Sequence, residues 1–130
     1  MSKRYILDAY AWIEYLIGSD AGSKVKAILE EEENELYTCA VTVAEVVSKT
    51  VRENRKPEQA YEILLGNSRI ITVDQELSRQ AGILHAEIRS KVRDFGLADA
   101  YVLACARALG ARILTRDEHF EDFREAIMIG

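Results

Sequence analysis

Residues 96–120 read GLADAYVLACARALGARILTRDEHF and combine a helix, a strand and three carboxylates in one short segment. The apolar run 100–106 predicts a buried helix, and Gly110 is typical of a residue that ends a helix. The run Arg112–Leu114 predicts a strand. An ionised Asp99 at the start of so apolar a helix is costly unless it is paired or binds a cation. The alternative is that Asp99 caps the helix and faces water.

Short apolar runs alternate with helical patterns outward from this segment. Helices are predicted over Tyr10–Ile17, from Ser19 or Asp20 through Leu29, from Thr42 to about Arg55, from Pro57, and from Asp74 through Val92. The predicted strands are Tyr5–Leu7, Leu36–Cys39, Arg69–Val73, Arg112–Leu114 and Ala126–Ile129. This alternation predicts a three-layer α/β fold, with a mainly parallel central sheet of four or five strands flanked by helices.

Length and composition limit the class of protein. With 130 residues, 48% of them hydrophobic, the chain is expected to form a single domain over residues 1–130. The net charge of −5 argues against a general nucleic-acid coating protein, which is usually basic. The apolar part of the N-terminal MSKRYILD stops at Asp8, so no signal peptide is predicted, and no apolar run reaches the roughly 18 residues of a membrane span. Cys39 and Cys105 form no CxxC pair, which suits reduced thiols in a cytoplasmic protein.

Two carboxylates follow predicted strands. Asp8 comes directly after the strand Tyr5–Leu7, and Asp117 follows the run ILTR. In open parallel sheets the ligand crevice lies outside the carboxyl ends of the strands, so neighbouring strands would bring both acids together. Each acid alone is also an ordinary helix cap or turn residue. Arg116, beside Asp117, is a candidate for contact with phosphate, and a solvent-facing arginine is the alternative.

Glu45 has two interpretations. The run TVAE from Thr42 fits a capping box, in which the Glu45 side chain reaches back to the amide of Thr42. Alternatively, Glu45 begins a polar stripe on one helical face, followed by the basic residues Lys49, Arg52 and Lys56. A carboxylate with a basic track beside it suits a metal–phosphate site, where the basic residues would contact an RNA backbone. Alternatively, these three basic residues simply form a solvent-exposed face of the helix.

Three motifs resemble the PIN-domain family in their order and spacing: YILDAYAWIEYL, TVAEVV and GLADAYVLACARALGARILTRDEHF. Within that family the chain is most similar to the VapC-type toxins of prokaryotic type II toxin–antitoxin pairs. The resemblance implies a Rossmann-like sheet, a homodimer, an RNA substrate and a small antitoxin that also binds DNA. It also implies a metal-dependent endoribonuclease, with Thr115 in support of four acids that are both catalytic residues and metal ligands: Asp8, Glu45, Asp99 and Asp117.

The ligand type determines the expected metal. Four carboxylates in one crevice repel each other, so some hold protons or a cation lies among them. An all-oxygen set without a Cys or His cluster favours Mg²⁺ or Mn²⁺ over Zn²⁺. His119 is a weak candidate for a base, because it lacks the partner that a histidine-based mechanism needs. Many relatives carry Ser or Thr within two residues of the first Asp, whereas here only Tyr10 offers a hydroxyl in that turn.

Other functions remain as alternatives. A catalytically weak PIN-like module that binds RNA or protein is the main one. A carboxylate-centred phosphatase is disfavoured, because Asp8 is followed two residues later by Tyr10 and the DxDxT or DxDxV pattern is absent. Further candidates for RNA contact are Arg89, Lys91 and Arg93.

Overall fold

Strand β1, Arg4–Leu7, is apolar on both faces and lies at the centre of the sheet. The other strands are β2 (Glu35–Cys39), β3 (Arg69–Ile71), β4 (Arg112–Thr115) and β5 (Ala126–Met128). The computed structural model describes residues 3–130, and within them these five strands form one all-parallel sheet in the order β3-β2-β1-β4-β5. The predicted α/β fold is confirmed. Met1 and Ser2 begin the N-terminal segment for which no signal peptide is predicted, and they lie outside the described residues.

Helices connect the strands on both faces of the sheet. Their bounds are α1 Ala9–Ile17, α2 Asp20–Glu30, α3 Ala40–Arg52, α4 Pro57–Asn67, α5 Gln75–Arg89 and α6 Leu97–Leu109, and a short 3₁₀ helix covers Glu118–Phe120. Among the described residues, no helix has the length and apolar character that crossing a membrane requires.

The sheet separates two apolar clusters, because successive residues of a strand point to opposite faces. Ile6 of β1 packs in the cluster that contains Leu103 of α6 and the apolar residues of α5. Leu7 packs in the other cluster, with Trp12 of α1 and Leu64 of α4. Helices α5 and α6 therefore cover one face and α1 to α4 the other, which gives the predicted three layers.

Helix α3 differs from the prediction at both ends. It begins at Ala40 after the extended residue Cys39, so Thr42 lies inside the helix and does not cap it. The capping box of Thr42 and Glu45 is therefore wrong. The helix ends at Arg52, and Asn54 has a φ of 58°, a left-handed conformation that stops the helix. Lys56 instead precedes α4, so the predicted face does not extend to it.

Helices α1 and α2 pack closely at Gly22. A Cβ atom on this residue would lie 2.2 Å from the carbonyl oxygen of Glu14, which no side chain tolerates. Ser19, between the two helices, accepts a hydrogen bond from the Gly22 N–H at 3.0 Å and caps α2. This tight turn fixes the position of Glu14, which faces the end of β4 through its contact with Arg116.

Candidate active site

The carboxyl ends of β1 and β4 meet where the strand order reverses, since β2 and β3 lie on one side of β1 and β5 lies beyond β4. Asp8 follows β1, and Thr115 ends β4. The Thr115 Oγ1 donates a hydrogen bond to Asp8 Oδ2 and accepts one from the Asp117 backbone N–H at 2.9 Å. One buried hydroxyl therefore connects the turns that carry both acids.

Asp8 is the most buried acid of the group, with 4% of its surface exposed. Its Oδ1 accepts a hydrogen bond from the Ala11 N–H at 2.9 Å, so it also caps α1. Burial raises the pKa of Asp8 to about 7, against the hydrogen bonds from Thr115 and Ala11, and the charges of Asp117 and Asp99 raise it further. The cap and the site are thus two roles of one side chain.

Asp99 likewise combines the two roles that the sequence left as alternatives. Its Oδ2 accepts a hydrogen bond from the Gly96 N–H at 2.9 Å, so Asp99 does support the start of α6. It does not simply face water, because only 21% of its side chain is exposed. Burial and the charge of Asp117 raise its pKa, whereas the Gly96 N–H lowers it.

Aromatic packing brings the Asp99 and Asp117 segments together. Phe95 precedes α6, and Phe120 follows Asp117 at the end of the 3₁₀ helix. Both rings are fully buried, and their centroids lie 5.9 Å apart in an edge-to-face arrangement. The two loops that carry these acids are therefore held to each other by a shared piece of core.

Glu45 projects from α3 at the mouth of the cluster and is the most exposed of the four acids. Partial burial nevertheless raises its pKa, and the charges of Asp99 and Asp117 raise it further. The buried Thr42 Oγ1 makes no hydrogen bond among the described residues, consistent with the absence of the capping box. Glu45 therefore lies close enough to Asp99 and Asp117 for their charges to affect it.

His119 lies among these acids, although sequence reasoning placed little weight on it as a site residue. Its Nδ1 is 2.9 Å from Asp117 Oδ1 and 3.9 Å from Asp99 Oδ2. Asp117 also accepts a hydrogen bond from the His119 backbone N–H at 2.9 Å, which folds the histidine back over the acid. The spacing Asp-x-His in a turn is the signal that sequence reasoning missed.

A groove of about 880 Å³ runs between α1 and α3 and begins at Glu45. Its basic residues are Lys49, Arg52 and Arg55, so Arg55 is a groove residue that the sequence did not indicate, and Lys56 lines an adjoining cavity that also includes Arg55. Lys49 pairs with Glu53 at 3.0 Å, which leaves the two arginines as the less restrained cations.

Arg116 is fixed beside the cluster by an acid of α1. Its Nη1 donates to Glu14 Oε1, and Glu14 also accepts a hydrogen bond from the Ser19 hydroxyl. The Ser19 hydrogen bond and Arg116 lower the pKa of the largely buried Glu14, although burial opposes them. About half of the Arg116 side chain stays exposed, so its guanidinium can still meet a ligand.

Comparison with known proteins identifies this arrangement. The model of the PIN domain matches residues 5–126, which is nearly the whole chain. The chain belongs to the PIN-domain family. A curated relative of this PIN domain is the ribonuclease VapC11 of Mycobacterium tuberculosis, 29% identical over 120 residues, which cover 89% of this chain and 88% of the relative.

Solved structures with this PIN fold include a toxin–antitoxin complex from Klebsiella pneumoniae, with a TM-score of 0.73, 19% identity, and coverage of 97% of this chain and 98% of that one. A second is VapBC2 from Rickettsia felis bound to a fragment of promoter DNA, with a TM-score of 0.73, 18% identity and 96% coverage of both chains. At such identities the likeness establishes the fold.

The side chains of this PIN domain suit a divalent cation. Asp99, Asp117 and His119 each offer one ligand atom, and these atoms lie within 4.8 Å of one another. Asp8 and Glu45 add carboxylates whose pKa values are raised by burial and by neighbouring acids. A cation among these groups would replace repulsion with attraction.

We expect the metal-free protein to lose stability as the pH rises from about 5 to about 7. The folded Asp8 has a pKa of about 7, whereas an unfolded aspartate titrates near 3.9. Between these values the unfolded chain has released a proton that the folded chain still holds, so each rise in pH favours unfolding. The raised pKa values of Glu45 and Asp99 act in the same direction. Urea unfolding in EDTA at a series of pH values measures the trend.

The variant Asp8→Asn is the control for this pH dependence, because the amide side chain of asparagine does not titrate. Its unfolding free energy should vary less between pH 5 and 7 than that of the wild-type protein. An unchanged slope in the variant, or a wild-type stability that rises with pH, would contradict the role given to Asp8.

Proposed function

We propose that this chain is a divalent-metal-dependent endoribonuclease and the toxin of a toxin–antitoxin pair. The observation that carries the proposal is the convergence of four acids from separate segments at the switch point of the sheet: Asp8, Glu45, Asp99 and Asp117. The VapC ribonucleases among the relatives of this chain support the same reaction. The reaction is hydrolysis of RNA phosphodiester bonds.

The proposed cation is Mg²⁺ or Mn²⁺, held by Asp8, Asp99 and Asp117, with Glu45 at the mouth. When bound, such an ion polarises the phosphate and makes a water molecule more acidic. The chain contributes the orientation of the ligands, because Thr115 holds Asp8 and the Asp117 turn while the Gly96 N–H holds Asp99. These contacts pre-arrange the acids before substrate arrives.

Glu45 is the proposed proton acceptor for the attacking water. It is the most accessible acid, and in the metal-free protein burial and the charges of Asp99 and Asp117 raise its pKa from the ordinary value of a glutamate. A base is most effective when its pKa approaches the working pH, so this shift favours proton transfer. Its position at the start of the groove also lets it face a bound strand.

The groove between α1 and α3 is the proposed path of the RNA. Arg52 and Arg55 line it together with Glu45, and Arg116 contacts Glu14, which also lines the groove. Contacts between such cations and phosphates position a strand without reading its bases. The negative net charge of the chain is compatible with this path, because Lys49, Arg52 and Arg55 lie together in the groove.

The proposed partners are a second copy of the chain and a small antitoxin. The solved structures that share the fold include a toxin–antitoxin complex and VapBC2 bound to promoter DNA. On this chain, Tyr10 and Ile17 are exposed apolar side chains along the groove. They offer a protein partner an apolar surface next to the acids, where binding would block access to them.

Replacement of Glu45 by Gln tests the proposed chemistry. The change keeps the size of the side chain and removes its ability to accept a proton, so the rate of RNA cleavage should fall about 100-fold. Glu45 closes no capping box, so the melting temperature should stay within a few degrees. Cleavage of a fluorescent RNA pool with Mg²⁺ or Mn²⁺ and a thermal melt provide the two measurements.

Glu53→Gln is the matched control, since Glu53 lines the same groove but lies outside the acid cluster. It should cleave at nearly the wild-type rate. If Glu45→Gln cleaves RNA at the wild-type rate, Glu45 is not the proton acceptor. Absence of cleavage by the wild-type protein with either ion would favour a PIN-like module that only binds RNA or protein.

The double variant Arg52→Ala with Arg55→Ala tests the RNA path. It should weaken RNA binding and flatten its dependence on salt concentration, because two phosphate contacts are lost. The position of cleavage on a given RNA should not change, and higher RNA concentration should restore much of the rate. Filter binding at several salt concentrations and sequencing of the cut ends measure these effects.

The charge-matched control for the path is Lys24→Ala with Lys26→Ala, two exposed residues of α2 that do not line the groove. It should keep the wild-type affinity and salt slope. Equal effects of the two double variants would show that only the net charge matters and that the groove is not the path.

A further inference from the structure

The imidazole of His119 lies among the acids, where it adds a nitrogen atom to a set of carboxylate oxygens. Its Nδ1 is shielded from solvent, although 30% of the side chain is exposed. The atom lies 2.9 Å from Asp117 Oδ1, yet the two are not aligned for a hydrogen bond, and Nδ1 has no hydrogen-bond partner among the described residues. A shielded polar nitrogen without a partner is unfavourable, which calls for a ligand that the nitrogen can bind.

The spacing of the three side chains fits donors to one ion. Ligand atoms about 2.1 Å from a six-coordinate cation are about 3 Å apart when adjacent and about 4.2 Å apart when opposite. The distances from Nδ1 to Asp117 Oδ1 and Asp99 Oδ2 are 2.9 and 3.9 Å, within that range. Asp99, Asp117 and His119 together form the group whose ligand atoms lie within 4.8 Å of one another.

The position of the ring is fixed by the fold. The 3₁₀ helix Glu118–Phe120 places His119 directly before Phe120, whose ring is fully buried. Phe120 packs against Phe95, and Asp117 accepts the His119 backbone N–H. The imidazole is therefore held at the acids by its own turn and does not reach them from a flexible loop.

We propose that His119 Nδ1 is a nitrogen ligand of the cation held by Asp99 and Asp117, and that it shifts the preference of the site from Mg²⁺ toward transition-metal ions. The inference rests on the proposed metal-dependent function and extends it to the choice of ion. Mg²⁺ prefers oxygen ligands, whereas imidazole suits later first-row ions, whose affinity for a given site increases along the series. A histidine in an otherwise carboxylate site therefore favours those ions selectively.

Calorimetric titration with Co²⁺ and with Mg²⁺ tests the inference on the intact chain. Replacement of His119 by Gln should weaken Co²⁺ binding about tenfold or more and change Mg²⁺ binding by less than about threefold. The visible absorption of bound Co²⁺, which depends on its ligands, should change in the same variant. His85→Gln, which alters the only other histidine of the sequence, should leave both affinities and the spectrum unchanged.

The outcomes separate this inference from the proposed function. Unchanged Co²⁺ affinity in His119→Gln, or an equal loss for both ions, would overturn the assignment of His119 as a selective ligand. Asp99→Asn should weaken both ions, and if it does so while His119→Gln has no effect, only the inference fails. If wild-type protein binds neither ion, or if Asp99→Asn has no effect on either, the proposed metal site fails and the inference with it.

Discussion

The hydroxyl of Thr115 is the contact on which the rest of the site depends. It lies fully buried at the end of β4, donates to Asp8 and accepts from the Asp117 N–H. The parallel pairing of Leu7 with Leu114 brings these two strand ends side by side. A shift of one residue in that register would turn the hydroxyl to the other face of the sheet and separate the two acids.

The acids are held together against their own repulsion. Burial and mutual charge raise the pKa values of Asp8, Asp99 and Glu45, so the fold keeps these groups in an environment that opposes their ionisation. Local contacts offset part of this cost, since Asp8 and Asp99 each accept a backbone N–H at a helix start. Apolar packing offsets the remaining cost of holding the acids together. It comes from the two clusters on either side of the sheet and from the contact of Phe95 with Phe120.

Much of this architecture could be predicted from the sequence, because apolar runs and their periodicity report directly on strands and helices. The central strand and the helix after Asp99 are examples. The errors concern features that depend on the rest of the fold. TVAE is a good capping-box pattern, but the chain already turns helical at Ala40, and the left-handed Asn54 separates Lys56 from α3. Sequence also posed cap and cluster as alternatives for Asp99, whereas the structure combines them. The placement of His119 depends on how its turn packs, which periodicity does not report.

The melting temperature of Asp99→Asn with and without Mn²⁺ shows whether the acids form a repulsive cluster that a cation relieves. Asn retains an oxygen that can accept the Gly96 N–H, so the substitution removes the charge while keeping the cap. We expect the metal-free variant to melt at a higher temperature than the metal-free wild type near pH 7, and Mn²⁺ to stabilise the wild type much more than the variant. A metal-free variant that melts at a lower temperature than the wild type and gains as much from Mn²⁺ would contradict this expectation.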